Sequence, residues 1–377
     1  MQICSGASHL RRGAEQFCLH LSQSLMNSGH EVLLVTGQHA LEAHTQPTVP
    51  MVTVPEMLNP WLRKVGFDYF NPFAVVELRK HLARFRPQII HVHSLYGLST
   101  ALVQTATRFS PVYITLHDAF LAYADSGILT PKWGLANSYL KIPHGLIHRK
   151  LNRRLLRYAT LVSPSKWLAE FFENSGFSTP LHIPNGIKPN GEQTKYENLV
   201  LWVGALTSFK GLPSIIGKIA PLLSQSGWRF VVVGDGPFRK KLSMQFPEVE
   251  FVGYEDPTPY YEHASILVCS SLGWENFPTV ILEAMRHGIC VIGHDLGGIS
   301  ELISHERNGL VYQKEAELMK HLDNVVSNNE KARRMGLCGR QHFLNNYQLE
   351  VCVNRYLELY RHQSDLPLPA KAKVSPF

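Results

Sequence analysis

Trp274–His294 reads WENFPTVILEAMRHGICVIGH and changes character twice. A polar, aromatic loop runs to Pro278, a residue that suits the first turn of a helix because it has no N–H to leave unpaired. TVILEAMRH then reads as a helix, and Gly288 is a natural stop. ICVIG is a short apolar run of the kind buried on both faces of a parallel sheet. Loop, helix and strand in this order make the repeating unit of a doubly wound sheet. Two acids sit in it, Glu275 in the loop and Glu283 on the helix. Taken alone they read as ordinary surface charges. The loop amides of Asn276, Phe277 and Thr279 and the helix dipole, however, make a positive-leaning pocket between them. An acid in such a loop can accept hydrogen bonds from sugar hydroxyls, and one on the helix can grip a diol such as a ribose.

The same unit recurs along the chain. HEVLLVT (from His30), PQIIHVH (from Pro87), PVYITLH (from Pro111) and ATLVSPS (from Ala159) read as buried parallel strands separated by helical stretches. IPNGIKPNGEQTKYEN (Ile183–Asn198) is rich in Pro and Asn-Gly and reads as a linker. A second series follows in LVLWVGAL, WRFVVVGDG, VEFVGY, ASILVCSS, GICVIGH and GLVY. Two tandem series predict an α/β protein of two Rossmann-like doubly wound domains facing across a cleft. The expected boundaries are 1–190, 191–345, a helix at 346–362 that returns to the first domain, and a disordered tail at 363–377. The first strand, MQICSG, is short for such a domain, which suggests a true start upstream of Met1; N-terminal sequencing of native protein tests that.

Composition narrows the class. At 45% hydrophobic and 18% charged, the 377 residues can bury real cores and do not read as disordered. The six cysteines form no C-x-x-C pair, which argues against a zinc ribbon or a disulfide framework and for a reducing compartment. No signal peptide opens the sequence and no apolar run approaches the ~20 residues of a membrane span, so a cytoplasmic protein is expected. The net charge of +7 is partly local. Lys141–Tyr158 carries six Lys and Arg, interleaved with Leu146, Ile147, Leu151, Leu155 and Leu156. It reads as a surface helix with a solvated basic face, or as a contact for anionic lipid head groups or a phosphorylated acceptor. No nucleic-acid motif accompanies the charge.

In doubly wound domains ligands meet the carboxyl ends of the strands. Four places there carry candidate chemistry. Gly13 in RRGAEQ precedes a helix, where backbone N–H groups approach a phosphate or simply turn. His117 and Asp118 follow VYITL; the histidine can contact a sugar, assist proton movement, or bond to a neighbouring loop. Lys210 follows LVLWV by a short loop and can neutralise a phosphate as a point charge, or sit exposed. The Glu275–Glu283 stretch is the fourth. His91 and His93 alternate on one strand and share a face, but no third metal ligand is near them in sequence. VVVGDGP lacks the third glycine of a dinucleotide fingerprint, so Gly234–Pro237 reads as a tight turn.

Together these segments resemble the retaining glycosyltransferases of family 4, with the GT-B fold. The resemblance rests on ENFPTVILEAMRHGICVIGHDLGGISELI (Glu275–Ile303), supported in order by GAEQF, NSGHEVLLVT, IIHVHS, TLHD, VSPSKWLAEFF, IPNGI, FKG, VVVGDGP and NGLVY. It covers nearly the whole chain. It implies a nucleotide-diphosphate sugar as co-substrate, no cofactor and no metal, in keeping with the absence of any D-x-D. It implies that Glu275 contacts donor hydroxyls and that Asn276, Phe277, Pro278 and Thr279 line the donor sugar and diphosphate. Glu283 would bind the ribose, Lys210 the diphosphate, and Gly13 the phosphate loop. His117 would lie near the reacting sugar, with His93 and Asp118 on the acceptor side. The implied acceptor is a glycan or lipid-linked glycan, in cell-surface polysaccharide or lipopolysaccharide synthesis at the inner face of a membrane.

One departure stands out. The family pattern V-G-R-L has Ala205 in place of its arginine, so one cation on the diphosphate is missing. Arg12, beside Gly13, is the expected substitute; Arg12→Ala should then lower transfer far more than Arg11→Ala. Two other functions fit the same fold: a nucleotide-sugar 2-epimerase, and a binding protein without catalysis. A glycosidase fits poorly, since both carboxylates come from one segment.

Overall fold

The computed structural model describes residues 1–5, 13–37, 49–57, 66, 68–122, 142–189 and 194–364. Arg12, Lys141 and the tail from residue 365 lie outside the described residues. Those described form two compact units, one taking Met1–Gly186 and resuming at Leu349, the other taking Ile187–Gln348.

The first unit is built on seven parallel strands: β1 (Gln2–Cys4), β2 (Leu34–Gly37), β3 (Met51–Val54), β4 (Ile90–Ser94), β5 (Val112–Thr115), β6 (Thr160–Ser163) and β7 (Leu181–His182). Their order is β3-β2-β1-β4-β5-β6-β7. Its helices are α1 (Gly13–Asn27), α2 (Pro72–Phe85), α3 (Ala101–Ala106), α4 (Ile142–Leu155) and α5 (Lys166–Asn174). The start of α2 shows how local sequence places an element. Asn71 accepts from the Ala74 N–H at 3.1 Å, and Pro72 takes the first helical position.

The second unit repeats the plan with β8 (Leu199–Val203), β9 (Arg229–Val233), β10 (Glu250–Gly253), β11 (Ile266–Cys269), β12 (Cys290–His294) and β13 (Gly309–Tyr312), all parallel in the order β10-β9-β8-β11-β12-β13. Its helices are α6 (Leu212–Gln225), α7 (Arg239–Gln245), α8 (Thr258–Tyr261), α9 (Thr279–His287), α10 (Ile299–Leu302), α11 (Glu315–Val326) and α12 (Asn329–Asn346). The continuous apolar runs are explained by burial on both faces. Leu199 and Leu201 of β8 join the core with Ile281, Leu282 and Met285 of α9, while Val200 and Trp202 join the opposite core with Ile216 of α6 and Leu318 of α11. In both units the strand order reverses at one place, between β1 and β4 and between β8 and β11. The doubly wound α/β class is thus as expected.

The last helix, α13 (Leu349–Ser364), belongs to the first unit. Leu349, Cys352, Val353, Tyr356 and Tyr360 enter a core with Phe17, Leu21 and Val162. The six cysteines are free thiols, and only Cys338 is exposed. No described helix is long and apolar enough to cross a membrane.

Candidate active site

In the second unit, the loops that leave β8 and β11 emerge side by side at the reversal of strand order, where α/β sheets open a crevice for ligands. Several contacts stitch the two loops together. Trp202 Nε1 donates to Ser270 Oγ at 2.9 Å, and Ser270 Oγ donates to the Lys210 carbonyl at 2.9 Å. The Leu272 N–H reaches the Phe209 carbonyl at 2.8 Å. Gly211, at φ +79°, lies so close to the Ser270 carbonyl that any Cβ would collide with it.

This stitching brings Lys210 Nζ to 2.6 Å from Glu275 Oε1. Ser271 Oγ donates to the same oxygen at 2.6 Å. The Glu275 side chain is 14% exposed, so the ion pair is sheltered but reachable. Its backbone is fixed from the other side, where the Gly298 N–H donates to the Glu275 carbonyl at 2.7 Å. Behind Ser271, His294 Nδ1 donates to the Ser271 carbonyl at 2.7 Å, with its ring stacked on Tyr312.

Downstream, Asn276 is half-buried and Phe277 is buried edge-on against Tyr347. Pro278 is the N-cap of α9, in extended backbone, so the helix starts at Thr279 and no side chain caps it. Glu283 has a different partner from Glu275. Tyr261 Oη donates to Glu283 Oε2 at 2.9 Å, and burial raises the Glu283 carboxyl above the usual carboxylate range. The Tyr261 ring stacks on His287, which burial lowers to about 4. Ala205 is exposed in the loop after β8. The turn after β9 lies at Gly236–Arg239, where the Arg239 N–H donates to the Gly236 carbonyl at 3.0 Å, two residues beyond the Gly234–Pro237 turn read in the sequence.

In the first unit the candidate residues gather at β4 and β5. His117 Nε2 lies 3.3 Å from His93 Nδ1, and Phe17 packs edge-on against both rings. His93 is only 4% exposed, so it meets His117 rather than a ligand directly. Its Nε2 bonds to Gln2 Oε1 at 2.9 Å. His91 is bound at Nδ1 by Tyr360 and at Nε2 by Thr115. With both nitrogens of each ring engaged, His91 and His93 do not form a metal pair. Burial lowers His91 and His93 well below the ordinary histidine range and His117 to about 4, so all three are neutral at pH 7. Asp118 is exposed and accepts from the Phe120 N–H at 2.8 Å. Gly13 is exposed as the first residue of α1, and the loop holding Arg12 is outside the described residues.

The basic stretch is a helix with an exposed basic face, as read in the sequence, but part of its apolar pattern is exposed as well. α4 turns His148 and Asn152 inward, Leu156 just after it is buried, and Leu146 and Ile147 are left exposed at 54% and 61%. The reason is hydrogen bonding. Asn152 Nδ2 donates to the Leu121 carbonyl, its Oδ1 accepts from Thr100, and His148 bonds to the Phe120 carbonyl and Tyr69. The polar residues are satisfied inside, and the leucine pattern misassigned the buried face. Lys150, Arg153, Arg154, Arg157 and Tyr158 are exposed beside the apolar pair.

Sequence reasoning did not find Ser270, Ser271, Tyr261 or Gln2. The serines follow ILVC directly, and that position at a strand's carboxyl end was their one signal. Among the described residues no group of three or more His, Cys, Asp or Glu could hold a metal ion.

Comparison with known proteins adds to this geometry. Residues 11–190 match the family model described as Glycosyltransferase Family 4, and residues 197–328 the one described as Glycosyl transferases group 1. A glycosyltransferase of Haemophilus influenzae is 27% identical over 46% of this chain, a match spanning 52% of that relative's length and so less than two thirds of it. A GDP-mannose-dependent α-mannosyltransferase of Corynebacterium glutamicum is 24% identical over 79% of this chain and 73% of its own. Among solved structures, Anabaena HepE in complex with UDP is 17% identical with a TM-score of 0.73, covering 96% of this chain and 98% of that one. HepE has also been solved with UDP-glucose. At this identity the structural likeness establishes the fold alone.

Proposed function

Because this chain belongs to the family 4-type glycosyltransferases of GT-B fold, we propose that it performs retaining transfer of a sugar from a nucleotide-diphosphate donor to a glycan or lipid-linked acceptor, without a divalent metal. The observation that carries this reading is the Lys210–Glu275 pair at the β8/β11 reversal, an ammonium and a carboxylate held together by loop contacts. In this reading the second unit holds the donor. Lys210 meets the diphosphate, whose charge grows as the glycosidic bond breaks, and a fixed cation there acts mainly on the transition state. Glu275 accepts hydrogen bonds from the sugar, Glu283 from the ribose, and Asn276–Thr279 line the donor. The acceptor hydroxyl attacks C1 on the face the phosphate leaves. The C1–O bond to phosphate breaks, the new C1–O bond forms, and the acceptor's proton passes to a phosphate oxygen. No enzymic base on the opposite face is required. The first unit takes the acceptor, and the family resemblance assigns His117 to the reacting sugar and Asp118 to the acceptor.

The exposed Leu146 and Ile147 beside four cations suit an anionic membrane surface, which supports a lipid-linked acceptor and a place in cell-surface polysaccharide or lipopolysaccharide synthesis at the cytoplasmic face. Calorimetric titration of UDP, GDP and ADP with EDTA present tests the donor site. One nucleotide should bind, and Glu283→Ala should abolish the binding. No binding of any of the three would favour the second reading, a protein of this fold without transfer, for which the exposed Ala205 is the supporting observation.

A further inference from the structure

The buried polar cluster of the first unit has one feature that fixes proton positions. Gln2 of β1 is 3% exposed. Its amide oxygen lies 2.9 Å from His93 Nε2. An acceptor there requires the His93 proton on Nε2 and leaves His93 Nδ1 bare. That bare nitrogen lies 3.3 Å from His117 Nε2, which must then carry the proton of its own ring. His91, beside them, is bonded through Nδ1 to Tyr360 Oη at 2.6 Å and through Nε2 to Thr115 Oγ1 at 2.7 Å. One amide orientation thus sets two imidazoles, and the opposite orientation would reverse both.

We propose that Gln2 is a positioning residue: acting through His93, it holds His117 as the Nε2–H tautomer, so that His117 meets a sugar hydroxyl as a hydrogen-bond acceptor at Nδ1. The tautomer follows from the buried contacts. The encounter with a sugar rests on the proposed transfer reaction. A neutral ring of this tautomer accepts from a hydroxyl and cannot donate to it at that nitrogen. A sugar carrying fluorine in place of the contacted hydroxyl would lose the bond.

Long-range proton–nitrogen correlation spectra of protein labelled with ¹⁵N-histidine read the tautomer directly. The resonances of the two rings are identified by their loss in His93→Asn and His117→Asn. In the wild type both rings should show the Nε2–H pattern. In Gln2→Met, which keeps the side chain's length and removes both amide groups, the two rings should shift toward a mixture of tautomers. An Nδ1–H pattern for His117 in the wild type overturns the proposal. So does an unchanged His117 pattern in a folded Gln2→Met protein. If that variant does not fold, the wild-type spectrum still decides. The Nε2–H pattern in a protein that binds no nucleotide would sustain the relay and remove the transfer reading.

Discussion

Lys210 Nζ and Glu275 Oε1 lie 2.6 Å apart because the loops after β8 and β11 are bound to each other through Ser270, Phe209 and Leu272. Without a donor, each charge is the other's partner. In the proposed reaction a diphosphate arriving at Lys210 would compete for the ammonium, while Ser271 bonds to the carboxylate. Lys210→Met should therefore lower transfer about 100-fold, in line with the ~3 kcal/mol typical of a lost fixed donor. Glu275→Gln keeps the shape and the acceptor for Ser271 but frees Lys210 from its anchor, and should also lower kcat. The double variant should lose less than the product of the two single losses, since the residues act as a pair. Steady-state kinetics on the four proteins checks this, and simple multiplication of the two losses would mean that the pair is not a unit.

Glu283 gives a pH signature. Burial raises its carboxyl in the folded protein. A carboxyl held above its unfolded-chain value of about 4.3 binds its proton more tightly when folded. Stability from this group is thus greatest at low pH and falls as pH rises from that value through the raised one. Glu283→Gln should remove this fall, which thermal denaturation between pH 4 and 7 can read as a difference from wild type. Tyr261 opposes the raised value by donating to Oε2. Tyr261→Phe should move the window to higher pH. If the ribose bonds to the ionised carboxylate, nucleotide affinity should rise through the same window in wild type and not in Glu283→Gln. That comparison cancels the titration of the nucleotide's own phosphate.

Glu275 also depends on a glycine. Gly297 has φ +64°, and a Cβ there would strike the Glu275 carbonyl. Gly297→Ala should cost more than about 1 kcal/mol of stability, through backbone strain and displacement of the Glu275 loop, and should lower transfer with it. Gly217, within α6, is the control. A Cβ there meets only Phe246 at an ordinary 3.6 Å, so Gly217→Ala should hold or raise the melting temperature. Equal losses in the two variants would show that the loop tolerates the strain.

The sequence was legible where burial is two-sided and illegible where structure rests on few residues or on polar contacts. β5, β6 and all six strands of the second unit fall within runs read as apolar strands, and β4 passes its run by Ser94 alone, because residues such as Val200 and Leu201 are buried on opposite faces. β3 and β7 escaped: β7 is two exposed residues, and β3 is only four residues, MVTV, mostly half-buried and set between Pro50 and Pro55. In the site, Lys210, Glu275 and Glu283 were found from their positions after strands or on a helix. Their partners were not, since the Ser271 and Tyr261 hydroxyls mark a site only once the loops and helices are folded. The Gln2–His93 contact joins residues 91 positions apart and leaves no local pattern.

α4 shows the same limit and carries the last prediction. Its buried face is chosen by His148 and Asn152, whose hydrogen bonds reach Tyr69, Thr100 and the carbonyls of Phe120 and Leu121. Asn152→Leu should cost about 1–3 kcal/mol, because the Leu121 carbonyl and the Thr100 hydroxyl lose a partner inside the protein. Ile147→Ser removes an exposed apolar group and should leave stability within about 0.5 kcal/mol. On vesicles containing phosphatidylglycerol the order should reverse. Ile147→Ser combined with Arg153→Glu and Arg154→Glu should abolish co-sedimentation, because insertion of the apolar pair and attraction of the cations both fail. Folded Asn152→Leu should still bind, since its change faces the interior. Unchanged co-sedimentation of the triple variant would remove the membrane from the proposed function and leave the acceptor a soluble glycan.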